Sequence, residues 1–136
     1  MQDMDHVIDV AQEMKNVKFI GLHFHIGSQI LDMGDFVALC NRVNELQDRL
    51  EARQIRIEHI NVGGGLGIDY GHPNRQAIPD FKSYFETYDN CLKLRSYQTL
   101  HFELGRSVVG QCGSLISRVL YVKQGANNSL PFWMQV

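Results

Sequence analysis

Hydrophobic positions follow two different periods along the chain, and their alternation predicts helices and strands in turn. Apolar residues at three- and four-residue steps predict helices over residues 5–14, 35–53 and 79–92, with Pro79 opening the third. Runs of β-branched and aromatic residues predict strands over residues 17–26, 57–62, 99–103 and 115–122. No helix is predicted between Gly105 and the last of these strands.

The order of these elements predicts the fold class. Strands separated by helices of this length are typical of parallel βαβ units, so we expect an α/β chain. Three units are too few to close an eight-stranded barrel, and an open sheet of this size would expose both of its edges. The chain is therefore either a small open sheet or a piece of a larger fold, and we favour the piece.

Composition excludes several other classes of protein. Hydrophobic residues make up 44% and charged residues 21% of the 136 positions, which is typical of globular chains and not of disordered or fibrous ones. With a net charge of −2 and no basic block, we expect no nucleic-acid partner. No apolar run approaches the roughly 20 residues that a membrane span needs. Three widely spaced cysteines and an acidic start predict reduced thiols and a cytoplasmic location.

Unusual residues follow the end of each of the first three predicted strands. These segments are residues 23–29, 61–67 and 102–107. Because the carboxyl ends of parallel strands meet at one edge of a sheet, we expect the three segments to lie together. The sequence therefore predicts one functional site at that edge.

Three consecutive glycines, Gly63, Gly64 and Gly65, directly follow the second strand. Without Cβ atoms their backbone N–H groups can converge on an anion such as a phosphate. A tight turn with close packing is the alternative interpretation. The segment does not match the dinucleotide-binding fingerprint, because Ile68 stands at the sixth position from Gly63, and it lacks the Lys-Ser or Lys-Thr of a Walker loop.

The other two strand ends carry residues that can bind a cofactor or a metal. His23 and His25 are expected to point to the same face of their strand. Three interpretations are open: the pair forms half of a metal site, His25 stacks on a planar cofactor, or both histidines are core residues. Glu103 can hold a pyridine nitrogen protonated, and Arg106 offers a planar fork to a carboxylate or a phosphate. A surface ion pair between Glu103 and Arg106 is the alternative.

Three stretches of this sequence together resemble the diaminopimelate decarboxylases, fold-type III pyridoxal-phosphate enzymes with an alanine-racemase-like barrel. The stretches are Gly-Leu-His-Phe-His-Ile-Gly-Ser-Gln from Gly21, Val-Gly-Gly-Gly-Leu-Gly-Ile-Asp-Tyr from Val62, and Glu-Leu-Gly-Arg from Glu103. The resemblance extends to about residue 127. It implies that residues 1–112 form the last three βα units of a TIM-type barrel and that residues 113–136 begin a C-terminal β domain.

The resemblance implies pyridoxal 5′-phosphate as cofactor and residues from all three strand ends as its site. The implied cofactor-binding residues are His25, Ser28, Gly63, Gly64, Gly65, Glu103, Leu104, Gly105 and Arg106. His25 stacks on the ring, Ser28 lies near the phosphate, and the three glycines cradle the phosphate, with Gly65 closest. No metal ligand is implied.

The third segment has three implied roles and one departure from the family. Glu103 meets the pyridinium nitrogen, the backbone from Glu103 to Arg106 lines the phosphate site, and Arg106 also binds a substrate carboxylate. The family usually has Pro where this chain has Leu104; leucine keeps the backbone N–H, so we expect the turn to survive.

The implied activity is a carboxy-lyase reaction, the decarboxylation of meso-diaminopimelate to lysine by a homodimeric parent enzyme that takes a small amino acid. Arginine, ornithine and carboxynorspermidine decarboxylases share much of the framework and stay open as alternatives. A metallohydrolase that uses His23 and His25 is a third class, but it leaves the triple glycine unexplained. The isolated chain is expected to be inactive and to contain no catalytic residue, because the family's Schiff-base lysine precedes the matched stretches.

The tail beyond Gly125 stops resembling a strand of the family. Read from the third base of the Phe132 codon, the bases that encode residues 132–136 can encode Leu-Asp-Ala-Gly, and the family has Asp-Ala-Gly near this place. We therefore expect residues 128–136 to come from a shifted reading frame, and Met1 to be an internal methionine of a longer frame.

Overall fold

The computed structural model describes residues 2–73, 75, 78–126 and 128–135. Within them the helices are α1 (Gln2–Glu13), α2 (Met33–Ala52), α3 (Phe81–Cys91) and α4 (Arg106–Val109). The strands are β1 (Gly21–His23), β2 (His59–Asn61), β3 (Thr99–His101), β4 (Ser117–Gln124) and β5 (Ser129–Gln135).

Strands β1, β2 and β3 form a parallel sheet with β2 in the middle. The register pairs Leu22 with Ile60 and Ile60 with Leu100, so these apolar side chains share one face. Helix α2 connects β1 to β2 and helix α3 connects β2 to β3, which confirms the predicted α/β fold with its parallel strands.

The hydrophobic core lies between this sheet and helices α1, α2 and α3. Phe36 of α2 and Tyr84 of α3 are fully buried, and their rings meet edge to face with centroids 4.8 Å apart. Ile60 of β2 and Ile8 of α1 belong to the same cluster. Cys40 is also buried there, and burial raises the pKa of its thiol to about 11, so the thiol stays protonated at neutral pH.

Aspartates fix the beginnings of the two long helices after the first strand. The side chain of Asp32 accepts a hydrogen bond from the N–H of Gly34 at 2.8 Å, and that of Asp80 accepts one from the N–H of Ser83 at 3.0 Å. The Ser83 hydrogen bonds lower the pKa of the Asp80 carboxyl below its usual value. Pro79 therefore precedes the cap and does not open the third helix, which corrects the sequence prediction.

The first strand is much shorter than the predicted residues 17–26. It pairs with a single neighbour in the described structure, β2, so regular pairing covers only Gly21–His23. Single hydrogen bonds continue beyond each end: the C=O of Ile20 accepts from the N–H of His59, and the N–H of Phe24 donates to the C=O of Asn61. The flanking residues are therefore tied to β2 without forming a regular ladder.

The segment after Gly105 differs from prediction in two respects. Residues 106–109 form the short helix α4, which is too short to produce a hydrophobic period in the sequence. Strand β5 occupies residues 129–135, where no strand was predicted, and the predicted strand over 115–122 is displaced to Ser117–Gln124. Alternating Leu130, Phe132 and Met134 supply a two-residue period that pairs antiparallel with β4.

Strands β4 and β5 form a hairpin that is a sheet of its own. Tyr121 and Phe132 face each other across it, with stacked rings 4.5 Å apart. Among the described residues, neither strand packs against the helices or the parallel sheet. Val136, the last residue of the segment assigned to a shifted frame, lies outside the described residues, as does Asn127 just before that segment. None of the helices in the described ranges is long and apolar enough to traverse a lipid bilayer.

One ion-pair cluster on the outer surface gives the fold a predicted pH dependence. The guanidinium of Arg95 donates to both carboxylate oxygens of Glu51, at 2.8 Å each, and to Asp48 at 2.7 Å. The hydrogen bond from Arg95 lowers the pKa of Glu51 below its ordinary 4.5. A carboxyl whose pKa is lowered by folding stabilises the fold above its ordinary pKa and loses that contribution as the pH falls through the lowered value.

We therefore expect the free energy of unfolding of Arg95→Met to fall less steeply as the pH is lowered. The free energy of unfolding of the variant should lie below that of the unsubstituted chain at neutral pH, and the two should converge below pH 4.5. Urea denaturation at a series of pH values measures this difference. Arg42→Met, which removes an exposed pair with Glu45, is the control and should leave the profile nearly unchanged.

Candidate active site

Polar side chains cover the face of the parallel sheet that is turned away from the helices. In or just beyond each strand, a histidine is followed two positions later by a second polar residue: His23 by His25, His59 by Asn61, and His101 by Glu103. Alternate residues of a strand share a face, and the parallel register pairs His23 with Asn61 and Asn61 with His101. Nδ1 of His59 lies 3.0 Å from Nε2 of His101, so one ring donates a hydrogen bond to the other.

Glu103 lies just beyond the end of β3 and contacts side chains from the ends of the other two strands. Its Oε2 lies 3.1 Å from Nε2 of His23, at the end of β1. Its Oε1 accepts a hydrogen bond from Nδ2 of Asn61, at the end of β2, at 2.9 Å. Both oxygens of this carboxylate therefore have a protein partner from a different strand.

The glycine segment after β2 is wedged between the segments that follow β1 and β3. A Cβ atom on Gly63 would lie 2.4 Å from the carbonyl oxygen of Phe24, and one on Gly64 would lie 2.2 Å from that of Glu103. Gly65 has a φ of +101°, and a Cβ there would lie 2.4 Å from the carbonyl oxygen of Gly27. These contacts bring the three strand ends together, as predicted, and favour close packing as one reason for the triple glycine.

Arg106 begins helix α4 and is oriented by uncharged partners. Its Nη1 donates to Oε1 of Gln29 at 3.2 Å, and its guanidinium carbon lies 5.6 Å from the centre of the Tyr70 ring. Within the described parts of the chain, no ion pair includes Arg106. The surface ion pair with Glu103, which was the alternative interpretation, does not form.

Gln29 ties the segment after β1 to the segment after β2. Its Nε2 donates to the carbonyl oxygen of Ile68 at 2.5 Å, and its Oε1 accepts from the N–H of Ile68 at 3.3 Å. Its backbone adopts a φ of +61°, which is uncommon for a residue with a side chain. Gln29 is therefore the residue that joins both segments to the guanidinium of Arg106.

We expect Gln29→Leu to destabilise the chain by about 1–2 kcal/mol, because it leaves the partly buried peptide groups of Ile68 without their partner. Urea denaturation measures the loss. Gln12→Leu, on the exposed side of α1, is the control and should change the free energy of unfolding by less than about 0.5 kcal/mol. Equal effects of the two substitutions would contradict the role given to Gln29.

The three segments enclose a cavity of about 230 Å³ at the carboxyl ends of the strands. Its lining residues are His25, Ser28, Gln29, Gly65, Leu66, Glu103, Gly105 and Arg106. Six of the nine residues that the resemblance assigns to a cofactor line this one cavity. The structure thus brings the three strand-end segments together around one cavity.

The other three assigned residues lie beside the cavity and do not line it. Gly63 and Gly64 are packed against the neighbouring segments, and Leu104 packs against the hydrophobic core. Sequence reasoning missed Gln29 and Asn61 as site residues. The alternation of histidine and a second polar residue at all three strand ends was the signal for Asn61, whereas nothing in the local pattern marks Gln29.

Among the residues that the structure describes, no group of three or more His, Cys, Asp or Glu side chains is placed to hold a metal ion. His23 contacts Glu103, and His25 lines the cavity.

Comparison with known sequences decides the family. Residues 1–110 match the family described as the pyridoxal binding domain of pyridoxal-dependent decarboxylases. This chain belongs to that family. Pyridoxal phosphate is accordingly the cofactor that the family uses.

Individual relatives within this decarboxylase family are diaminopimelate decarboxylases. The chain is 87% identical over 125 residues to the enzyme of Bacteroides thetaiotaomicron, and this match covers 92% of this chain and 32% of the relative. It is 40% identical over 115 residues to the enzyme of Neisseria meningitidis serogroup B, and this match covers 85% of this chain and 27% of the relative. The chain thus spans about a third of the length of the curated relatives it matches.

Solved structures give the same result for the fold. The diaminopimelate decarboxylase of Helicobacter pylori, complexed with L-lysine and carrying an I148L substitution, superposes with a TM-score of 0.72 at 28% identity. The superposition covers 96% of this chain and 32% of that one. The α/β fold described above is therefore the fold of the pyridoxal-binding domain.

The chemistry of the cavity fits the cofactor of this family. Arg106 presents a cation that no carboxylate of the described residues neutralises, and Ser28 adds a hydroxyl, so the pair suits a phosphate. His25 adds a flat ring, and Glu103 adds a carboxylate. A pyridine ring with a phosphate arm needs these same groups: an anion site, a stacking surface and an acceptor for its ring nitrogen.

Proposed function

We propose that this chain forms part of the cofactor site of a pyridoxal-phosphate enzyme that decarboxylates meso-diaminopimelate to lysine. Residues 1–112 correspond to the last three βα units of its barrel, and residues 113–136 to the start of its β domain. The separate sheets β1–β3 and β4–β5 support this division. The complete enzyme is proposed to be a cytoplasmic homodimer, as in the family that the sequence resembles.

The cavity at the strand ends is the observation that carries this proposal. Three segments far apart in sequence, after β1, after β2 and after β3, supply its lining. Each segment contains one of the three stretches on which the resemblance depends. A likeness confined to core packing would not bring residues of all three stretches into one cavity.

In this assignment the phosphate is bound at the end of the cavity that holds Arg106. The guanidinium of Arg106 lines this cavity together with Ser28, Gly65 and Gly105. The same guanidinium carries a planar fork that also suits a substrate carboxylate. Gln29 and Tyr70 keep the fork turned toward the cavity.

His25 and Glu103 are proposed to hold the ring. His25 stacks on one face, and Glu103 accepts a hydrogen bond from the protonated ring nitrogen. When bound, pyridoxal phosphate supplies an electron sink for the electron pair left when carbon dioxide departs. Glu103 maintains that capacity because its negative charge keeps the proton on the nitrogen.

The substrate assignment depends on the relatives. The sequence relatives described above are diaminopimelate decarboxylases, and one solved relative is complexed with the reaction product L-lysine. This favours diaminopimelate over arginine, ornithine or carboxynorspermidine.

Binding of pyridoxal phosphate to the purified chain tests the cofactor assignment. We expect ligand-dependent absorbance near the cofactor band that stays with the protein on gel filtration, and weaker binding to Arg106→Gln. Arg75→Gln, which alters an exposed arginine outside the cavity, is the control. No retained cofactor, or equal retention by all three proteins, would contradict the assignment.

Sequencing the source locus on both sides of the 136 codons tests the activity. A continuous frame that supplies the other two thirds of the relatives' length should encode a protein that releases carbon dioxide from meso-diaminopimelate. If the locus holds no such frame, the chain would retain at most a cofactor cavity, and the decarboxylase assignment would be wrong for its present product.

A further inference from the structure

The contacts around Glu103 form a clamp that the resemblance does not assign. The clamp consists of His23, Asn61 and Glu103, one residue at or just beyond the end of each strand. His23 and Asn61 are register partners in adjacent strands, and Glu103 lies two residues beyond His101, the partner of Asn61. The sheet register therefore places the three side chains on one face at the carboxyl ends.

The orientation of Asn61 is fixed by a second contact. Its Oδ1 accepts a hydrogen bond from the N–H of Gly63 at 2.8 Å. The atom left to face Glu103 is then Nδ2, which can only donate. One oxygen of the carboxylate is thus held by a donor that the glycine segment itself aligns.

The other oxygen of Glu103 faces Nε2 of His23 at 3.1 Å, from the opposite strand. A glutamate side chain turns about three single bonds, and ordering it when a ligand binds costs conformational entropy. The donor on Oε1 and the His23 ring nitrogen against Oε2 restrict that freedom before binding. Each oxygen keeps a second lone pair, which leaves the carboxylate able to accept one further hydrogen bond.

We propose that His23 is a positioning residue which, with Asn61, holds the carboxylate of Glu103 in the orientation that accepts the ring N–H of a pyridine ligand. This inference rests on the proposed function, because it takes Glu103 as the partner of the ring nitrogen. It gives the first histidine of the His-Phe-His stretch a role that is neither metal binding nor ring stacking. Preorganisation of this kind raises affinity without adding a contact to the ligand.

Of the two donors, His23 is the one whose replacement tests the clamp cleanly. Replacing Asn61 would also free the N–H of Gly63 and disturb the glycine segment. His23→Leu removes the donor, whereas His23→Gln keeps an N–H at the end of a side chain of similar reach. His6→Leu, on the exposed side of α1, is the matched control.

The probe is pyridoxine 5′-phosphate, which has the ring and the phosphate but no aldehyde, so it reports non-covalent binding alone. Calorimetry on the full chain and its variants gives the affinity. Nuclear magnetic resonance of the isotope-labelled ring nitrogen gives its protonation state. We expect His23→Leu to weaken binding about tenfold and to move the nitrogen signal toward the unprotonated pyridine, His23→Gln to restore both to within about twofold, and His6→Leu to change neither.

Separate outcomes contradict the inference and the proposed function. If the unsubstituted chain does not bind the probe, or if Glu103→Gln leaves both affinity and nitrogen signal unchanged, the proposed function fails and this inference fails with it. If Glu103→Gln weakens binding while His23→Leu matches His6→Leu, the inference alone is wrong. A folded His23→Leu variant is verified by an unchanged circular dichroism spectrum.

Discussion

Gly64→Ala is expected to destabilise the chain by about 3 kcal/mol and to abolish binding of the cofactor. A Cβ atom at this position would lie 2.2 Å from the carbonyl oxygen of Glu103 and 3.4 Å from the Cα of Leu104. Both atoms belong to backbone, which cannot rotate away as a flexible side chain can. Overpacking a tight contact costs about 1–3 kcal/mol, and a clash with backbone belongs at the upper end of that range.

The same substitution should also separate the two segments that line the cavity. Gly64 packs directly against the segment that carries Glu103, so relief of the clash moves the carboxylate away from Asn61. Urea denaturation measures the loss of stability, and titration with pyridoxine 5′-phosphate measures the loss of binding. An unfolding midpoint equal to that of the unsubstituted chain would show that the segments are not in contact as described.

Gly113→Ala is the control for this prediction. Nothing lies within 4 Å of the position that its Cβ atom would take. We expect its free energy of unfolding to stay within about 0.5 kcal/mol of the unsubstituted chain, as is usual for surface substitutions. The difference in free energy of unfolding between Gly64→Ala and Gly113→Ala thus separates the effect of close packing from the general effect of replacing glycine.

Phe36→Ala is expected to cost about 4 kcal/mol of stability, because truncating a buried phenylalanine leaves a cavity. The Phe36 ring is fully buried and contacts Tyr84 edge to face and Tyr88 at 6.2 Å between centroids. It lies at the contact between α2 and α3, which both cover the sheet that carries the site. Loss of this ring should therefore loosen both helices together.

Two further variants keep the Phe36 measurement interpretable. Phe36→Leu preserves most of the volume and should cost about 1.5 kcal/mol, so it stays folded if the alanine variant does not. Phe85→Ala removes a ring that is 43% exposed and should cost less than half as much as Phe36→Ala. Denaturation curves that rank Phe85→Ala as the more damaging substitution would contradict the position given to Phe36 at the centre of the core.

The core could be predicted because its residues are spaced by a helical period. Phe36, Leu39, Cys40 and Val43 recur at three- and four-residue steps and are all buried in α2. Burial of such a stripe is the main source of helical stability, so the pattern itself carries the information. Element ends were predicted less well. Asp32 and Asp80, which cap the helices through local hydrogen bonds, were not identified, and Pro79 was predicted to open a helix that begins two residues later, at Phe81.

By itself, the sequence determined the α/β order, the parallel arrangement of the strands, and the three strand ends on which the family depends. These follow from residue spacing and from backbone requirements that are local to each segment. Only the tertiary structure decided the partners of Glu103, Arg106 and Gln29, because each partner comes from a segment more than 35 residues away. Such contacts depend on strand register and on the close approach of the glycine segment, and neither leaves a periodic trace in the sequence.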